Sequence, residues 1–253
     1  MKLTVLGCSP SFPNPGGATS GYLLQTETTT VLVDAGHGVC ARLRALTNVC
    51  ELSAVIISHL HPDHFFDLIP LLYTHRFTCA GMPPIPLFLP PGGATTIDRL
   101  NDALREPPEF FSQAYAVSEY EPRTGMAVAD IGVEFAATVH PGTAYAMRFT
   151  EQLQPDHTIV YSSDSAWSEA VVDLARHASL AIIEASVLNY DEKGTDRAHL
   201  TPELAGRLGR KAGVNRLVLT HYADFNAAAT REAAEQAFGG PVDLAVERAS
   251  YQV

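Results

Sequence analysis

Basic residues are scarce in this sequence, in which 17 Lys and Arg stand against 28 Asp and Glu and give a formal net charge of −11. A surface with this balance repels polyanions, because binding to nucleic acid depends on Lys and Arg side chains that neutralise phosphates. The charge therefore disfavours large nucleic-acid partners, although it leaves room for a local basic patch.

Long apolar runs are also missing, and no stretch approaches the roughly 20 residues that a membrane-spanning helix needs. The N-terminus MKLTVLGCS alternates and then turns, unlike the charged start, apolar stretch and small-residue cleavage site of a signal peptide. We therefore predict a cytoplasmic protein without a membrane partner.

Cysteine is rare and irregularly spaced, with no CxxC pair among the four residues Cys8, Cys40, Cys50 and Cys79. A disulfide framework or a cysteine-rich zinc site would show recognisable spacing. We interpret all four cysteines as reduced, intracellular thiols.

The chain has no linker, repeat or low-complexity tract, so we predict one domain over residues 1–253. Apolar segments with alternating or β-branched character predict strands, and segments with helical spacing lie between them. Because strands occur in both halves, we expect an α/β fold with two packed sheets and helices outside. Strands are predicted at 3–6, 22–26, 30–33, 54–57, within 83–93, at 131–139, 143–149, 158–162, 179–185 and 216–220, and in a closing hairpin; helices are predicted at 39–47, 65–77, 95–105, 167–176, 202–212 and 227–237.

The segment 106–121 combines prolines with four aromatic residues, Phe110, Phe111, Tyr115 and Tyr120. It could form a lid on which a nucleobase stacks. The alternative is a loop that packs its aromatic side chains into the core, and the sequence does not choose between the two.

The most informative stretch is HLHPDH, residues 59–64, which follows the apolar strand AVIIS and precedes an apolar helix. Residues two apart in an extended chain project to the same side, so His59 and His61 can share one ion, while Pro62 resists early helix formation. Asp63 and His64 can then face a second ion. Imidazole and carboxylate ligands together suit zinc, manganese or iron.

Further candidate ligands lie at the ends of later strands: His140 in TVHPG, Asp164 in VYSSDSAW and His221 in LVLTHY. Each of them alone is more often a hydrogen-bonded structural residue. Their common position at strand ends favours a shared site. Asp34, at the end of VLVD, is interpreted as an anchor for the histidine loop rather than a ligand.

The HLHPDH block with a later His, a later Asp and a final His resembles the metallo-β-lactamase superfamily over nearly the whole chain. The opening GCSPSFPNPGGATSGYLL and the strand VLVDAGHG resemble its phosphodiesterase branch, which includes the RNase Z-like tRNA 3′-end endonucleases and compact bacterial cyclic nucleotide phosphodiesterases. The resemblance implies a four-layer αβ/βα sandwich of two mixed β-sheets flanked by helices. It also implies two metals, the first bound by His59, His61 and His140, the second by Asp63, His64 and His221, with Asp164 bridging them.

A second set of residues, Glu184 in IIEAS and His199 in AHLTP, resembles a paired Glu and His that this branch carries near the scissile phosphate. A carboxylate that is hydrogen-bonded to an imidazole fixes the tautomer of the ring and raises the pKa of the ring, which suits a group that protonates a leaving oxygen. The alternative for His199 is a structural place beside the helix that starts near Thr201.

These features predict a hydrolase with two divalent transition-metal ions, zinc first and manganese or iron as alternatives, acting on cyclic nucleotides or other small phosphodiesters. Asp63 would orient or deprotonate the attacking water, and His199, supported by Glu184, would assist the departing oxygen.

Three alternatives stay open: an RNA-processing endonuclease of the tRNA 3′-end type, a hydrolase of thioesters, lactones or sulfate esters, and an inactive metal-binding scaffold. The tRNA endonucleases of the resembled branch usually insert a long arm, in many members between the counterparts of His140 and Asp164. Only 23 residues separate these two positions here, which favours a small substrate. Dimers are common in that branch, and the sequence does not reveal whether this chain forms one.

Overall fold

The computed structural model describes residues 1–187 and 198–253, and the strands within them form two seven-stranded sheets. In chain order these strands are β1 (Lys2–Gly7), β2 (Gly21–Gln25), β3 (Thr30–Val33), β4 (Ala54–Ile56), β5 (Ile85–Leu89), β6 (Tyr115–Glu119), β7 (Met126–Val128), β8 (Ile131–Ala137), β9 (Tyr145–Glu151), β10 (Gln154–Tyr161), β11 (Leu180–Glu184), β12 (Leu217–Thr220), β13 (Asp243–Leu244) and β14 (Ser250–Gln252). The helices are α1 (Val39–Arg44), α2 (Pro62–Phe65), α3 (Leu68–Thr78), α4 (Gly93–Leu104), α5 (Glu169–Leu174), α6 (Pro202–Ala212) and α7 (Ala227–Phe238).

Both sheets are mixed. The first sheet, called sheet A here, has the order β14-β1-β2-β3-β4-β5-β6, with antiparallel pairs as far as β3 and parallel pairs beyond it. The second, sheet B, has the order β13-β12-β11-β10-β9-β8-β7, parallel as far as β10 and antiparallel beyond it. None of the helices in the described ranges combines the length and apolar character needed to cross a bilayer.

Three buried clusters separate four layers. Because side chains alternate between the two faces of a strand, Leu3 and Val5 of β1 face sheet B, where they join Ile159 and Tyr161. The other face of sheet A packs against α1, α3 and α4. The other face of sheet B packs against α5, α6 and α7. The prediction of two mixed sheets flanked by helices is confirmed.

The predicted strands and helices up to residue 237 correspond to observed ones within a few residues. The prediction of a closing hairpin, however, is wrong. β13 pairs in parallel with β12 in sheet B, whereas β14 pairs antiparallel with β1 in sheet A. The two last strands thus end in different sheets. A local pattern could not show this, because both partners lie far away in the sequence.

The lid interpretation of residues 106–121 is also wrong. β6 lies within this segment and forms the edge of sheet A, and the four aromatic side chains are at most 4% exposed. Tyr115 donates a hydrogen bond to the carbonyl of Leu68 at 2.7 Å, and Tyr120 donates to the carbonyl of Ile57 at 3.2 Å. The aromatic residues therefore stabilise the core and are not available for stacking with a nucleobase.

The interpretation of all cysteines as reduced thiols is wrong for two of them. Cys50 and Cys79 form a disulfide, with their Cα atoms 5.5 Å apart. Residues Val49–Glu51 pack against α3, whose last turn precedes Cys79, and this tertiary contact brings together cysteines that are 29 residues apart. Cys8 and Cys40 are free and buried, and burial raises the pKa of the Cys8 thiol to about 12.

Candidate metal centre

The strand ends that carry the predicted site residues meet at one edge of the two sheets. In sheet A, β3 and β4 are parallel, and Asp34 and His59 follow their carboxyl ends. In sheet B, β10, β11 and β12 are parallel, so Asp164, Glu184 and His221 lie at or just beyond three neighbouring carboxyl ends. Such edges are where parallel sheets commonly bind ligands.

The HLHPDH block positions its side chains through a change from extended chain to helix. His61 is extended, with ψ 146°, because the following proline disfavours helical backbone at the residue before it. Pro62 is then the first residue of α2, where its missing N–H is not needed. His59 and His61 thus precede the helix, whereas Asp63 and His64 lie within it.

The first group of candidate ligands, called site 1 here, consists of His59, His61, His140 and Asp164, whose ligand atoms all lie within 4.8 Å of one another. Nδ1 of His61 lies 3.0 Å from Nε2 of His140. Oδ2 of Asp164 lies 3.8 Å from Nε2 of His59 and 4.0 Å from Nε2 of His140.

The second group, site 2, consists of Asp63, His64, Asp164 and His221, again with ligand atoms within 4.8 Å of one another. Oδ2 of Asp63 lies 3.1 Å from Nε2 of His221 and 3.4 Å from Nε2 of His64. Oδ1 of Asp164 lies 3.4 Å from Nε2 of His64 and 3.6 Å from Nε2 of His221. Asp164 belongs to both groups, so its carboxylate can bridge them.

Hydrogen bonds on the outer side of the rings orient lone pairs toward this centre. Nδ1 of His64 lies 2.8 Å from the Asp34 carboxylate, and Nδ1 of His140 lies 3.0 Å from the carbonyl of Ala198. Both acceptors require a protonated Nδ1, so in the neutral form of each ring the lone pair is on Nε2. Among the described residues, Nε2 of His59 and Oδ1 of Asp164 are buried without a hydrogen-bond partner. A metal cation would satisfy these converging lone pairs, so the residues fit the predicted metals.

The electrostatics of the centre favour positive charge. Burial alone would raise the pKa of Asp164, but the imidazoles of His221 and His64 outweigh it and hold this pKa well below its usual range. His221 and His64 likewise lower the pKa of Asp63 despite burial. In contrast, burial lowers the pKa of His59 well below its usual value, and the charge of His64 adds to this effect. The centre therefore combines carboxylates that stay ionised with a neutral imidazole, as metal ligands require.

The predicted pair of Glu184 and His199 lies directly beside site 2. Nδ1 of His199 is 2.9 Å from Oε1 of Glu184 and 3.9 Å from Oδ2 of Asp164. The His199 ring is nearly parallel to that of His221, with centroids 5.8 Å apart. Glu184 is fully buried, whereas the His199 side chain is 21% exposed and so accessible to solvent.

Asp34 has the anchoring role that its position at the end of β3 predicted. Its carboxylate accepts hydrogen bonds from the backbone N–H and hydroxyl of Ser58 at 2.7 and 2.8 Å, from Tyr161 at 2.9 Å, and from His64. The contacts of Ser58 and Tyr161 with Asp34 were not predicted from the sequence. Only the position of Ser58 next to His59 could have indicated its role.

Gly36 is a further residue that the sequence analysis overlooked. A Cβ atom at this position would overlap the carbonyl oxygen of Asp63 and the hydroxyl of Thr19. The loop after β3 therefore approaches the histidine loop more closely than any side chain would permit. Hydrogen bonds join the same loops, since the N–H of Ala35 donates to the carbonyl of His64 at 2.7 Å.

A groove of about 280 Å³ opens beside site 1. Its walls come from His59 and His61, the loop before α4 and the loop after His140. Among the described residues, neither lysine nor arginine lines it. The lining residues are His59, Leu60, His61, Pro90, Pro91, Gly92, Gly93, Thr96, Pro141, Gly142 and Thr143.

This fold and this cluster of candidate ligands are consistent with a metallo-hydrolase. Residues 29–222 match the family described as the Beta-lactamase superfamily domain, and the chain therefore belongs to the metallo-β-lactamase superfamily. The probable metallo-hydrolase YhfI of Bacillus subtilis is 32% identical over 249 residues, which cover 97% of each chain. The crystal structure of YhfI superposes with a TM-score of 0.87 over 99% of both chains, at 30% identity.

Two further similarities are consistent with the branch that the sequence resembles. A ribonuclease Z of Mycobacterium marinum is 28% identical and covers 96% of this chain and 95% of its own length. The crystal structure of a diphosphatase from the PhnP family has a TM-score of 0.76 at 15% identity, covering 100% of this chain and 97% of its own. The latter likeness concerns the fold alone.

Proposed function

We propose that the protein hydrolyses small phosphodiesters, such as cyclic nucleotides, with two divalent metal ions held at sites 1 and 2. The observation that carries this proposal is the 2.9 Å contact between Nδ1 of His199 and Oε1 of Glu184 beside the candidate ligands. An alkoxide that leaves phosphorus is a strong base, and its departure is assisted by a nearby proton donor. An imidazole oriented by a buried carboxylate supplies such a donor.

Asp63, His199 and Glu184 have distinct roles in this reaction. The bound divalent ions would supply Lewis acidity, and zinc, manganese and iron all suit these imidazole and carboxylate ligands. Asp63, whose pKa is lowered by His221 and His64, stays ionised and can accept a hydrogen bond from the attacking water. His199 gives a proton to the departing oxygen, and Glu184 stabilises the ring while its charge changes.

The groove beside site 1 supports a small substrate. Its volume of about 280 Å³ is close to the lower limit of roughly 300 Å³ for small-molecule pockets, and its described lining carries no cation that would bind an RNA backbone. The net charge of −11 supports the same conclusion.

An RNA-processing nuclease is the second candidate, because relatives named ribonuclease Z align with nearly the whole chain. The region between His140 and Asp164, however, contains only the hairpin of β9 and β10, whose strands are joined at residues 152 and 153. This compact hairpin leaves no arm in that interval with which to hold a tRNA. A thioester hydrolase would have less need of the pair of Glu184 and His199, because a departing thiolate is a weaker base than an alkoxide.

The direct test compares kcat/KM for cyclic AMP, a 2′,3′-cyclic nucleotide, bis(p-nitrophenyl) phosphate and a precursor tRNA at identical metal loading and salt. We expect the small diesters to be hydrolysed much faster than the tRNA. Efficient cleavage at the tRNA 3′ end without turnover of the small diesters would replace this proposal by the nuclease. Turnover of thioesters or lactones alone would contradict both.

A further inference from the structure

Ser186 connects the pair of Glu184 and His199 with a candidate metal ligand. It lies two residues beyond the end of β11, beside the end of the parallel strand β12, which His221 follows. Its hydroxyl oxygen is 2.6 Å from Oε2 of Glu184 and 2.5 Å from Nδ1 of His221. Ser186 is therefore placed between a buried carboxylate and the ring of a site 2 residue.

The direction of these hydrogen bonds follows from the donors that are present. Glu184 accepts the backbone N–H of Ser165 on Oε1 at 2.8 Å and that of Ser186 on Oε2 at 3.1 Å, as a carboxylate does. The hydroxyl of Ser186 has one proton, which it donates to this carboxylate. Its lone pair then accepts from His221, so Nδ1 of His221 must carry a proton.

A proton on Nδ1 of His221 determines what the opposite side of the ring can do. In the neutral ring Nε2 then carries the lone pair, and it lies 3.1 Å from Oδ2 of Asp63 and 3.6 Å from Oδ1 of Asp164. A lone pair directed at two carboxylates is unfavourable unless a cation lies between them. The Ser186 hydroxyl thus holds His221 in the tautomer that binds a metal.

Glu184 accepts hydrogen bonds from the proposed proton donor and from the residue that orients a candidate metal ligand. Oε1 accepts from His199, the proposed proton donor, and Oε2 accepts from Ser186, which orients His221. We propose that Ser186 is a positioning residue that fixes the metal-binding tautomer of His221, and that Glu184 connects it with His199. This inference rests on the proposed function for the role of His199, whereas the part concerning His221 stands on the metal centre alone.

The first experiment measures the ring of His221 and the metal affinity, not turnover. In the metal-free wild-type protein, ¹H–¹⁵N spectra of the histidine rings should show His221 protonated at Nδ1. Ser186→Ala should lose this preference and bind one of the two ions about 10- to 100-fold more weakly, as expected when the hydrogen-bond partner of a ligand is removed. Zinc titration against a competing chelator gives both affinities.

Three further variants separate this role from a general loss of structure. Ser186→Thr keeps the hydroxyl and should restore the wild-type affinity, whereas Ser186→Cys keeps the volume but is a weaker donor and should behave like the alanine variant. Ser179→Ala is the matched control, since Ser179 precedes β11 at the opposite end and donates to the carbonyl of Asp156. It should leave both affinities unchanged.

Wild-type affinity for both ions in Ser186→Ala, or a wild-type His221 without a proton on Nδ1, would overturn the proposal. The connection between Ser186 and Glu184 is tested separately with the double variant Ser186→Ala/Glu184→Gln. The combined loss of affinity should be smaller than the sum of the separate losses, and additive losses would contradict the connection. A protein that behaves as expected in these tests but hydrolyses no phosphodiester contradicts only the proposed function.

Discussion

Three residues at the metal centre adopt backbone conformations that residues other than glycine seldom adopt. Asp34, Ser163 and His221 have φ values of 58°, 53° and 58°, in the left-handed region. Each such conformation costs on the order of 1–3 kcal/mol and persists only where its surroundings enforce it. Asp34 is held by bonds from Ser58, Tyr161 and His64, so this strain is balanced by the contacts that orient the histidine loop.

At the residue scale, His199→Ala should slow phosphodiester hydrolysis by about 10²- to 10⁴-fold, the usual effect of losing a general acid or base. Metal content should stay at the wild-type level, because Nδ1 of His199 contacts Glu184 and the ring lies outside sites 1 and 2, although His199, Glu184 and His221 form a third close group. Steady-state kinetics with elemental analysis of the same samples provide the measurement. His157→Ala, in the first half of β10, is the control and should change neither quantity. Metal loss that parallels activity loss would make His199 a ligand instead.

At the scale of elements, the Cys50–Cys79 disulfide closes a loop that contains β4, the histidine block and α3. A cross-link over 29 residues restricts the unfolded chain and stabilises the native state by roughly 3.5 kcal/mol. Reduction with dithiothreitol should therefore lower Tm by about 7–14 °C. The Cys50→Ser/Cys79→Ser variant is the control, since the same reductant should not change its Tm. An unchanged wild-type Tm after complete reduction would show that the loop needs no cross-link.

The loops around the groove should determine which substrates enter it. Thr96 lines the groove at the start of α4, whereas its neighbour Thr95 is exposed and does not line it. Thr96→Trp should lower kcat/KM for cyclic nucleotides by roughly 5- to 150-fold, which corresponds to about 1–3 kcal/mol of steric overpacking. Thr95→Trp is the matched control with no expected change. An equal decrease of kcat/KM in both variants would show that the groove is not part of the substrate site.

In the molecule as a whole, the candidate metal centre draws its residues from both sheets. Site 2 takes Asp63 and His64 from α2, which follows β4 of sheet A, and Asp164 and His221 from the carboxyl ends of strands in sheet B. A cation bound there would connect both halves, and the native state would be stabilised by about 2.7 kcal/mol at a metal concentration of 100 times Kd.

We accordingly expect about two transition-metal ions per chain and a Tm that rises with metal and falls with a chelator. Elemental analysis and thermal unfolding provide the two measurements. Asp164→Asn should reduce both occupancy and the metal-dependent rise in Tm, because this carboxylate belongs to both sites. Full activity with one ion or fewer per chain after metal loading would rule out the dinuclear centre.

Most elements, the sandwich of two sheets and the set of candidate site residues could be predicted from the sequence. Apolar periodicity reflects which face of a strand or helix is buried, and HLHPDH is a local arrangement whose geometry follows from extended chain and proline. The later candidates, His140, Asp164 and His221, could be found because strand ends are also visible locally.

Which distant residues meet depends on the packing of the whole fold. The Cys50–Cys79 pair, the burial of the aromatic residues in 106–121, the separation of β13 and β14 into different sheets and the contact of Ser186 with His221 all depend on long-range packing. A single serine or cysteine has no periodicity that reports its partner. Its role follows from the register of neighbouring strands, such as Glu184 beside Thr220, which brings Ser186 and His221 together at one edge of the fold.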